Sequence, residues 1–311
     1  MRSWERALDQ AKRLALTKQD VVGVDYGHIY RNEVRTAERG VRFHLRNKLA
    51  PTAVAPGEML PELISRIPTD VVMARYQPHA GFHGAADPIE GGISIGNLKR
   101  GSTGTLGLVV AGINDQQRYV LSNWHVLCAS KEAKAGEEIC QPGPVDAGLN
   151  VARSVALLDR WASLDHGLDA ALARINQQSP SLPEMFGMNT VLQALARPQL
   201  GQKVAKIGIG SGTTHGFVDG VEGSYLIDYS DYGDTERWMD GIRIVPDPAF
   251  KEADISLTGD SGSIWFEPNS SVAVALHFAG EDSAGPLAQY ALAHPIEAVF
   301  NALSARLLAA S

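Results

Sequence analysis

The sequence predicts a mainly β protein, built as a sandwich or a barrel, that follows a small unit of mixed helix and strand. Short runs of β-type residues recur between Gly-rich turns from residue 105 to residue 278, with no long helix between them. An amphipathic helical pattern opens the chain, and a Gly- and Pro-rich stretch separates it from the β-rich part. Of the 311 residues, 44% are apolar, which is enough for one large core or two smaller ones.

The N-terminal α/β unit is predicted to span residues 1–80. Apolar residues recur at helical spacing over residues 3–18, which predicts an amphipathic helix. Beyond it, we expect a strand over residues 21–30, a turn at 31–33 and a second strand, paired with the first, over 41–46. A short helical segment over 60–64 and a third strand over 70–76 are expected to follow. Residues 81–92 lack periodicity, so they predict a connecting segment.

The β-rich domain is predicted to span residues 93–311. Its strands are expected over residues 105–113, 118–122, 151–158, 169–175, 204–209, 214–221, 225–229, 242–245, 263–266 and 272–278. Apolar side chains at helical spacing over residues 295–308 predict a C-terminal helix.

Composition narrows the classes of partner and location. The chain carries 28 Lys and Arg against 35 Asp and Glu, a net charge of -7 without a block of either sign, which argues against nucleic acid as a partner. No apolar run approaches the roughly 20 residues of a spanning helix, so no membrane crossing is expected. Charges interrupt the first residues where a secretory leader needs an apolar run, so we expect a cytoplasmic location. The two cysteines, Cys128 and Cys140, suit reduced thiols, although a single bridge between them stays open.

The most specific motif is Gly259-Asp260-Ser261-Gly262. These residue types are common in turns, so a purely structural turn is the plain alternative. In the catalytic interpretation, Gly259 turns the backbone so that the amides of Gly259 and Ser261 point at one spot. Those donors would hold the oxyanion that forms when Ser261 attacks a carbonyl.

Two further polar residues border apolar runs. His125 follows one run, although a lone histidine in such a place is commonly structural. Asp169 enters another run, and a buried carboxylate needs a compensating partner such as a histidine N–H. Asp165 is the competing carboxylate, but its surroundings predict a solvated loop.

The order His125, Asp169, Ser261 resembles that of the chymotrypsin-like serine proteases. The phrases at residues 91–97, 121–127, 141–143, 206–216 and 275–280 are most similar to the bacterial and plant Narrow-leaf-type trypsin-like peptidases. Asn123-Trp124 stands where secreted digestive members carry two alanines, which argues against the digestive branch but not against the fold.

The resemblance implies a double antiparallel β-barrel of six strands each, with the catalytic cleft between the barrels. It makes Ser261 the nucleophile, His125 the general base and Asp169 the residue that orients the histidine. The implied activity is that of a serine endopeptidase acting on proteins or peptides through an acyl-enzyme, with no cofactor and no metal. A cytosolic endopeptidase is expected to have restricted specificity. The N-terminal unit is then a candidate for covering the cleft, docking substrate or forming a homo-oligomer.

The resemblance places substrate-binding positions at Thr258, His277, Phe278 and Ala279. His277 stands where glutamyl endopeptidases and picornaviral proteases carry a histidine, which implies cleavage after Glu or Gln. A core histidine bonded to backbone is the alternative. Asp260 stands where secreted relatives pair a carboxylate with a newly cut N-terminus. Here either an internal Lys or Arg replaces that amine, or the oxyanion hole forms only after cleavage or partner binding.

Two other functions share this fold or this chemistry. One is a peptide-binding module without catalysis, and the other is an esterase or amidase for small substrates. Two weaker signals favour structural interpretations. The glycines at 208–212 predict a barrel loop rather than a phosphate site, and His79 and His83 lack further metal ligands nearby.

Overall fold

A computed structural model describes residues 2–18, 20–31, 34–45, 53–55, 57–73, 82–115, 117–147, 152–250, 254–280 and 290–308. The chain divides into two compact units, residues 1–78 and residues 79–311. None of the helices in these ranges is long and apolar enough to cross a membrane.

The first unit packs one helix on a small sheet. Its elements are α1 (Ser3–Ala15), β1 (Val21–Arg31), β2 (Val34–Leu45), β3 (Leu63–Ile64) and β4 (Ile67–Met73), and the sheet order is β1-β2-β4-β3. The predicted helix and the antiparallel pair β1–β2 are confirmed, whereas the tip of their turn lies outside the described residues. Ala7 and Ala11 of α1 are buried against Val41 and Phe43 of β2 and against Ile64.

The short helix predicted over residues 60–64 is wrong. Leu63–Ile64 pairs with the start of β4 instead. The two residues between these strands, Ser65 and Arg66, have φ of 49° and 66°. Two successive residues with positive φ make a tight hairpin turn whose twist suits the flanking strands.

The second unit holds the other strands that the structure describes: β5 (Ile89–Gly91), β6 (Ser94–Asn97), β7 (Gly104–Thr105), β8 (Leu108–Gly112), β9 (Arg118–Ser122), β10 (Glu138–Gln141), β11 (Arg153–Trp161), β12 (Ala171–Ile175), β13 (Ser181–Met185), β14 (Met188–Val191), β15 (Ala194–Leu195), β16 (Lys203–Gly208), β17 (Gly212–Asp228), β18 (Glu236–Pro246), β19 (Ile264–Phe266), β20 (Val272–Gly280), β21 (Ala291–Pro295) and β22 (Ala305–Leu307). Its helices are α2 (Trp124–Leu127), α3 (Pro144–Ala147) and α4 (Ile296–Leu303), with 3-10 turns at Leu164–His166 and Ser230–Tyr232.

These strands form two barrels, which confirms the predicted mainly β double-barrel class. In the first sheet the order runs β22-β8-β9-β12-β11-β10-β6-β7. Because β7 and β8 are two halves of one strand, interrupted at residues 106–107, the ring closes with six strands. In the second sheet the order β20-β19-β16-β17-β18-β21 closes through a β20–β21 pairing, again with six. Each ring encloses a buried apolar cluster.

Several segments differ from the expected boundaries, and strands β6, β10, β13, β14, β15 and β21 lie outside the predicted ones. Strand β17 is one element from 212 to 228, not two, since the ladder to β18 continues through register shifts between Val218 and Gly223. Helix α4 ends at Leu303 because Ser304 adopts φ 50°, and the following residues pair with β8 as strand β22. The expected connecting segment 81–92 contains β5, which pairs with β13.

Candidate active site

His125 and Asp169 form a close pair at the mouth of the first barrel. Strand β9 ends at Ser122, and the single turn of α2 then carries His125, whose side chain is 12% exposed. Its Nδ1 lies 2.5 Å from Asp169 Oδ2, and its backbone N–H donates to Asp169 Oδ1 at 3.1 Å. Both carboxylate oxygens therefore bind one residue, which fixes the ring and leaves Nε2 for a proton transfer.

The Asp169 carboxyl is fully buried and held from several sides. Tyr229 donates its hydroxyl to Oδ2 at 2.8 Å, and Asn123 Nδ2 donates to the Asp169 carbonyl at 2.7 Å. Burial alone would raise the pKa of Asp169, but the neighbouring His125 and the hydrogen bonds it receives hold this pKa below its usual value. Asp169 is therefore a charged carboxylate at neutral pH.

His294 supports the same aspartate from behind. Its Nε2 accepts the Asp169 backbone N–H at 3.0 Å, so its Nδ1 carries the proton and donates to the Asp240 carbonyl at 2.5 Å. Burial lowers the pKa of His294 to about 4. This histidine is neutral at pH 7 and acts as a spacer between two backbone groups.

The Ser261 loop presents two unused amide donors. Gly259 and Gly262 have φ of 100° and 96°, which favour glycine at both positions. Three backbone N–H groups of this loop, those of Asp260, Gly262 and Ser263, donate to backbone carbonyls. In the described part of the chain, the N–H groups of Gly259 and Ser261 make no such bond. They match the expected oxyanion donors in this respect.

The loop is anchored to the first barrel beside the histidine. Thr105 of β7 donates its N–H to the Ser261 carbonyl and its hydroxyl to the Gly259 carbonyl, both at 2.8 Å. A Cβ on Gly262 would lie 2.1 Å from Ser122 Oγ, so the loop packs on the last residue of β9. Across the described residues, no hydrogen bond joins Ser261 to His125. Such bonds are often long before substrate binds.

Asp260 forms a buried ion pair with Lys206 of β16. The two side chains are fully buried with Nζ and Oδ2 2.8 Å apart, and Ser211 Oγ donates to the same oxygen at 2.6 Å. The amides of Gly210 and Ser211 donate to Oδ1 at 3.0 Å. Burial opposes ionisation, but the Lys206 charge holds the pKa of Asp260 below its usual value. An internal lysine therefore occupies the position that the resemblance gives to a cut N-terminus.

His277 lies in β20 directly behind the Ser261 loop. Its carbonyl accepts the Gly262 N–H at 3.0 Å, and its own N–H donates to the Ser263 carbonyl at 2.9 Å. Its side chain is buried, and Nδ1 has no hydrogen-bond partner among the described residues. Burial, with a contribution from the Lys206 charge, lowers the pKa of His277 to about 3. The imidazole is therefore neutral at pH 7.

The other predicted substrate positions differ in exposure. Thr258 is exposed and Ala279 is partly buried. The Phe278 ring is buried and stacks on His294 at 4.0 Å between centroids. Only the backbone of Phe278 can then meet a substrate, because its side chain belongs to the core.

The remaining candidates have structural surroundings. Asp165 is exposed and pairs with Arg237, as expected for a solvated position. The glycines at 208–212 form the β16–β17 turn. Cys128 and Cys140 are both buried and unbridged. Of the pair in the expected linker, His83 contacts Asp146, whereas His79 lies outside the described residues. Within the described ranges, no three His, Cys, Asp or Glu side chains gather to hold a metal ion.

The sequence assigned no site role to several residues that hold this arrangement together: Thr105, Asn123, Lys206, Ser211, Tyr229 and His294. Lys206 alone had a usable signal, since it is a cation inside the apolar run 204–209. Tyrosine and histidine are ordinary strand residues, so the sequence pattern does not distinguish Tyr229 or His294.

No family model matches the sequence, and no curated protein matches it. Solved structures do resemble it. Protease A of Thermobifida fusca is 15% identical over 71% of this chain and 99% of that one, with a TM-score of 0.51. The Nocardiopsis protease is 14% identical over 72% and 100%, with a TM-score of 0.52. A glutamic acid specific serine protease that uses a histidine triad in substrate binding is 20% identical over 71% of this chain and 100% of that one, with a TM-score of 0.50. The second unit therefore has the chymotrypsin-like fold of these serine proteases.

Proposed function

We propose that this protein is a serine endopeptidase that uses Ser261 as nucleophile, His125 as general base and Asp169 to orient the histidine. The observation that carries the proposal is the His125–Asp169 pair, in which both carboxylate oxygens bind the histidine. The Ser261 loop supports it, because it packs at the end of the strand that leads to His125 and has two unused amide donors. We assign this activity to residues 93–311.

The chemistry follows from the donors and acceptors. As Ser261 Oγ bonds to the peptide carbonyl carbon, its proton passes to His125 Nε2, and the negative oxygen is held by the N–H groups of Gly259 and Ser261. His125 then protonates the leaving nitrogen as the C–N bond breaks, which leaves an ester on Ser261. Water attacks that ester with the same histidine as base. Asp169 stabilises the imidazolium formed in both halves.

A fluorophosphonate probe tests the nucleophile directly. We expect mass spectrometry to find the label on Ser261 of the wild type and none on Ser261→Ala, whereas Ser270→Ala, which changes a serine in a turn away from the site, should label normally.

Asp169→Asn should keep the fold and lower kcat by about four orders of magnitude, since the neutral amide favours the wrong histidine tautomer.

Two outcomes would support the rival functions. A folded wild type that neither labels nor cleaves would favour a peptide-binding module, for which the missing hydrogen bond between Ser261 and His125 is the relevant observation. Labelling with hydrolysis of small esters, but not of any peptide in a proteome digest, would favour an esterase.

We further propose that His277 selects Glu or Gln before the cut. Its imidazole lies behind the Ser261 loop, is neutral, and has a ring nitrogen without a partner among the described residues. A neutral imidazole can donate to a side-chain oxygen, but it offers no countercharge to a carboxylate. Gln should therefore be preferred to Glu at neutral pH.

A peptide library measures this preference. Wild type should cleave mainly after Gln, with Glu gaining at acidic pH as it is protonated. His277→Leu should lose that preference while it still accepts the fluorophosphonate label. Cleavage mainly after Lys, Arg or Leu by the wild type would refute the role of His277.

A further inference from the structure

The β17–β18 hairpin extends from the second barrel to the catalytic pair of the first. Its ladder runs from Gly216–Pro246 to Asp228–Glu236, and the tip is the 3-10 turn Ser230–Tyr232. Residues Tyr229 and Met239 of this hairpin are buried in the same apolar cluster as Trp124, beside the catalytic histidine. The hairpin thus contributes side chains to the neighbouring barrel.

Tyr229 is the residue of this hairpin that contacts the Asp169 carboxylate. The residue is 2% exposed, and its hydroxyl donates to Oδ2 at 2.8 Å, the oxygen that also binds His125 Nδ1. Its ring packs edge-on to Trp124, with centroids 6.1 Å apart. Burial and the Asp169 charge raise the pKa of Tyr229, so the phenol remains a donor.

Three hydrogen bonds from the described residues reach the carboxylate of Asp169. His125 supplies two of them, from its backbone N–H to Oδ1 and from its ring Nδ1 to Oδ2. Among the described residues, Tyr229 is the one further residue that donates to the carboxylate, and it comes from the other barrel. A carboxylate held at three points by two independent segments cannot rotate without breaking a charge-assisted hydrogen bond.

The hairpin is itself fixed against the first barrel, at its tip by the Lys131 N–H, which donates to the Tyr232 carbonyl at 3.3 Å, and along β18 by two further bonds. The Asp240 N–H donates to the Gly167 carbonyl at 2.9 Å, and Arg237 Nη1 donates to Asp165 at 2.6 Å. The two acceptor residues, Gly167 and Asp165, lie just before Asp169 in sequence. The Tyr229 phenol is therefore held in a fixed position relative to the segment that carries Asp169.

We propose that Tyr229 is a positioning residue that holds the Asp169 carboxylate in line with His125, and that docking of the hairpin tip completes the catalytic pair. This role rests on the proposed function. Tyr229 comes from the second barrel and aligns two residues of the first barrel, His125 and Asp169. This role is additional to those of the three residues that carry the reaction.

The test compares Tyr229→Phe with Tyr225→Phe in the full-length chain. Tyr225 lies on the same hairpin and is partly buried, and Tyr229 is the described tyrosine that donates to Asp169, so Tyr225 controls for the loss of a hydroxyl from this element. We expect Tyr229→Phe to lower kcat by about ten- to a hundredfold with KM changed less than about twofold, because a hydrogen bond to a charged group is lost. The acid limb of the pH profile of kcat/KM should move to higher pH. The reason is that the His125–Asp169 pair loses the Tyr229 hydroxyl, a hydrogen-bond donor that favours the form of the pair with fewer protons.

Proton NMR supplies a readout that needs no turnover. The low-field resonance of the His125 Nδ1 proton should shift in Tyr229→Phe and stay unchanged in Tyr225→Phe. Equal kcat, acid limb and resonance in the two variants would overturn the role of Tyr229 while leaving the serine protease proposal intact. A wild type that shows this resonance and the Tyr229→Phe shift, but does not label or cleave, would overturn the protease proposal and leave Tyr229 as a structural support only.

Discussion

Asp169 and Asp260 are both buried carboxylates, and each is kept charged by a different partner. Asp169 relies on a histidine and a phenol. Asp260 relies on Lys206, on the Ser211 hydroxyl and on the backbone amides of Gly210, Ser211 and Leu257. A buried charge that loses its partner costs more than the pair contributes, because the remaining charge is left without solvent. Lys206 is therefore a residue whose removal should affect both stability and the oxyanion donors.

Lys206→Met tests this expectation. Stability should fall by about 3–5 kcal/mol, and kcat/KM by about two to three orders of magnitude as the Ser261 loop shifts. Arg197→Met, a short way before the same strand, is the control, since Arg197 and its ion-pair partner Glu222 are both exposed. That change should cost less than about 1 kcal/mol. Chemical denaturation and peptide hydrolysis measure both quantities, and equal results for the two variants would contradict the prediction.

Among the secondary-structure elements, the β17–β18 hairpin marks the limit of what the sequence pattern predicts. The sequence itself offers Ser261 as a candidate through the Gly-Asp-Ser-Gly motif, His125 because it ends an apolar run, and Asp169 because a carboxylate in such a run needs a partner. Tyr229 was not predictable, since its role depends on the pairing register of a strand whose middle looks like a turn. The shortened α4 is a similar case: its apolar spacing continues past Ser304, and a local positive φ decides where the helix ends.

On the scale of the whole molecule, the two units have separate cores. Phe43 lies in an apolar cluster made of first-unit residues, and Phe266 in one made of second-unit residues. Calorimetry should therefore show two transitions, with unfolding enthalpies of about 55 and about 160 kcal/mol from the sizes of the units.

Phe43→Ala should destabilise the smaller transition by about 3–5 kcal/mol and leave the larger one in place, because it empties one core only. Phe266→Ala should do the reverse. A single transition that both substitutions shift together would show that the units unfold as one.

Strand β22 pairs with β8 although the whole second barrel lies between them in sequence. The outer edge of β8 is thus sealed by one of the most distant segments of the same domain. A newly made chain would keep that edge open until the second barrel and α4 had been synthesised, and open strand edges recruit other chains. Aggregation during folding, rather than loss of the finished fold, is the expected consequence of weakening this last strand.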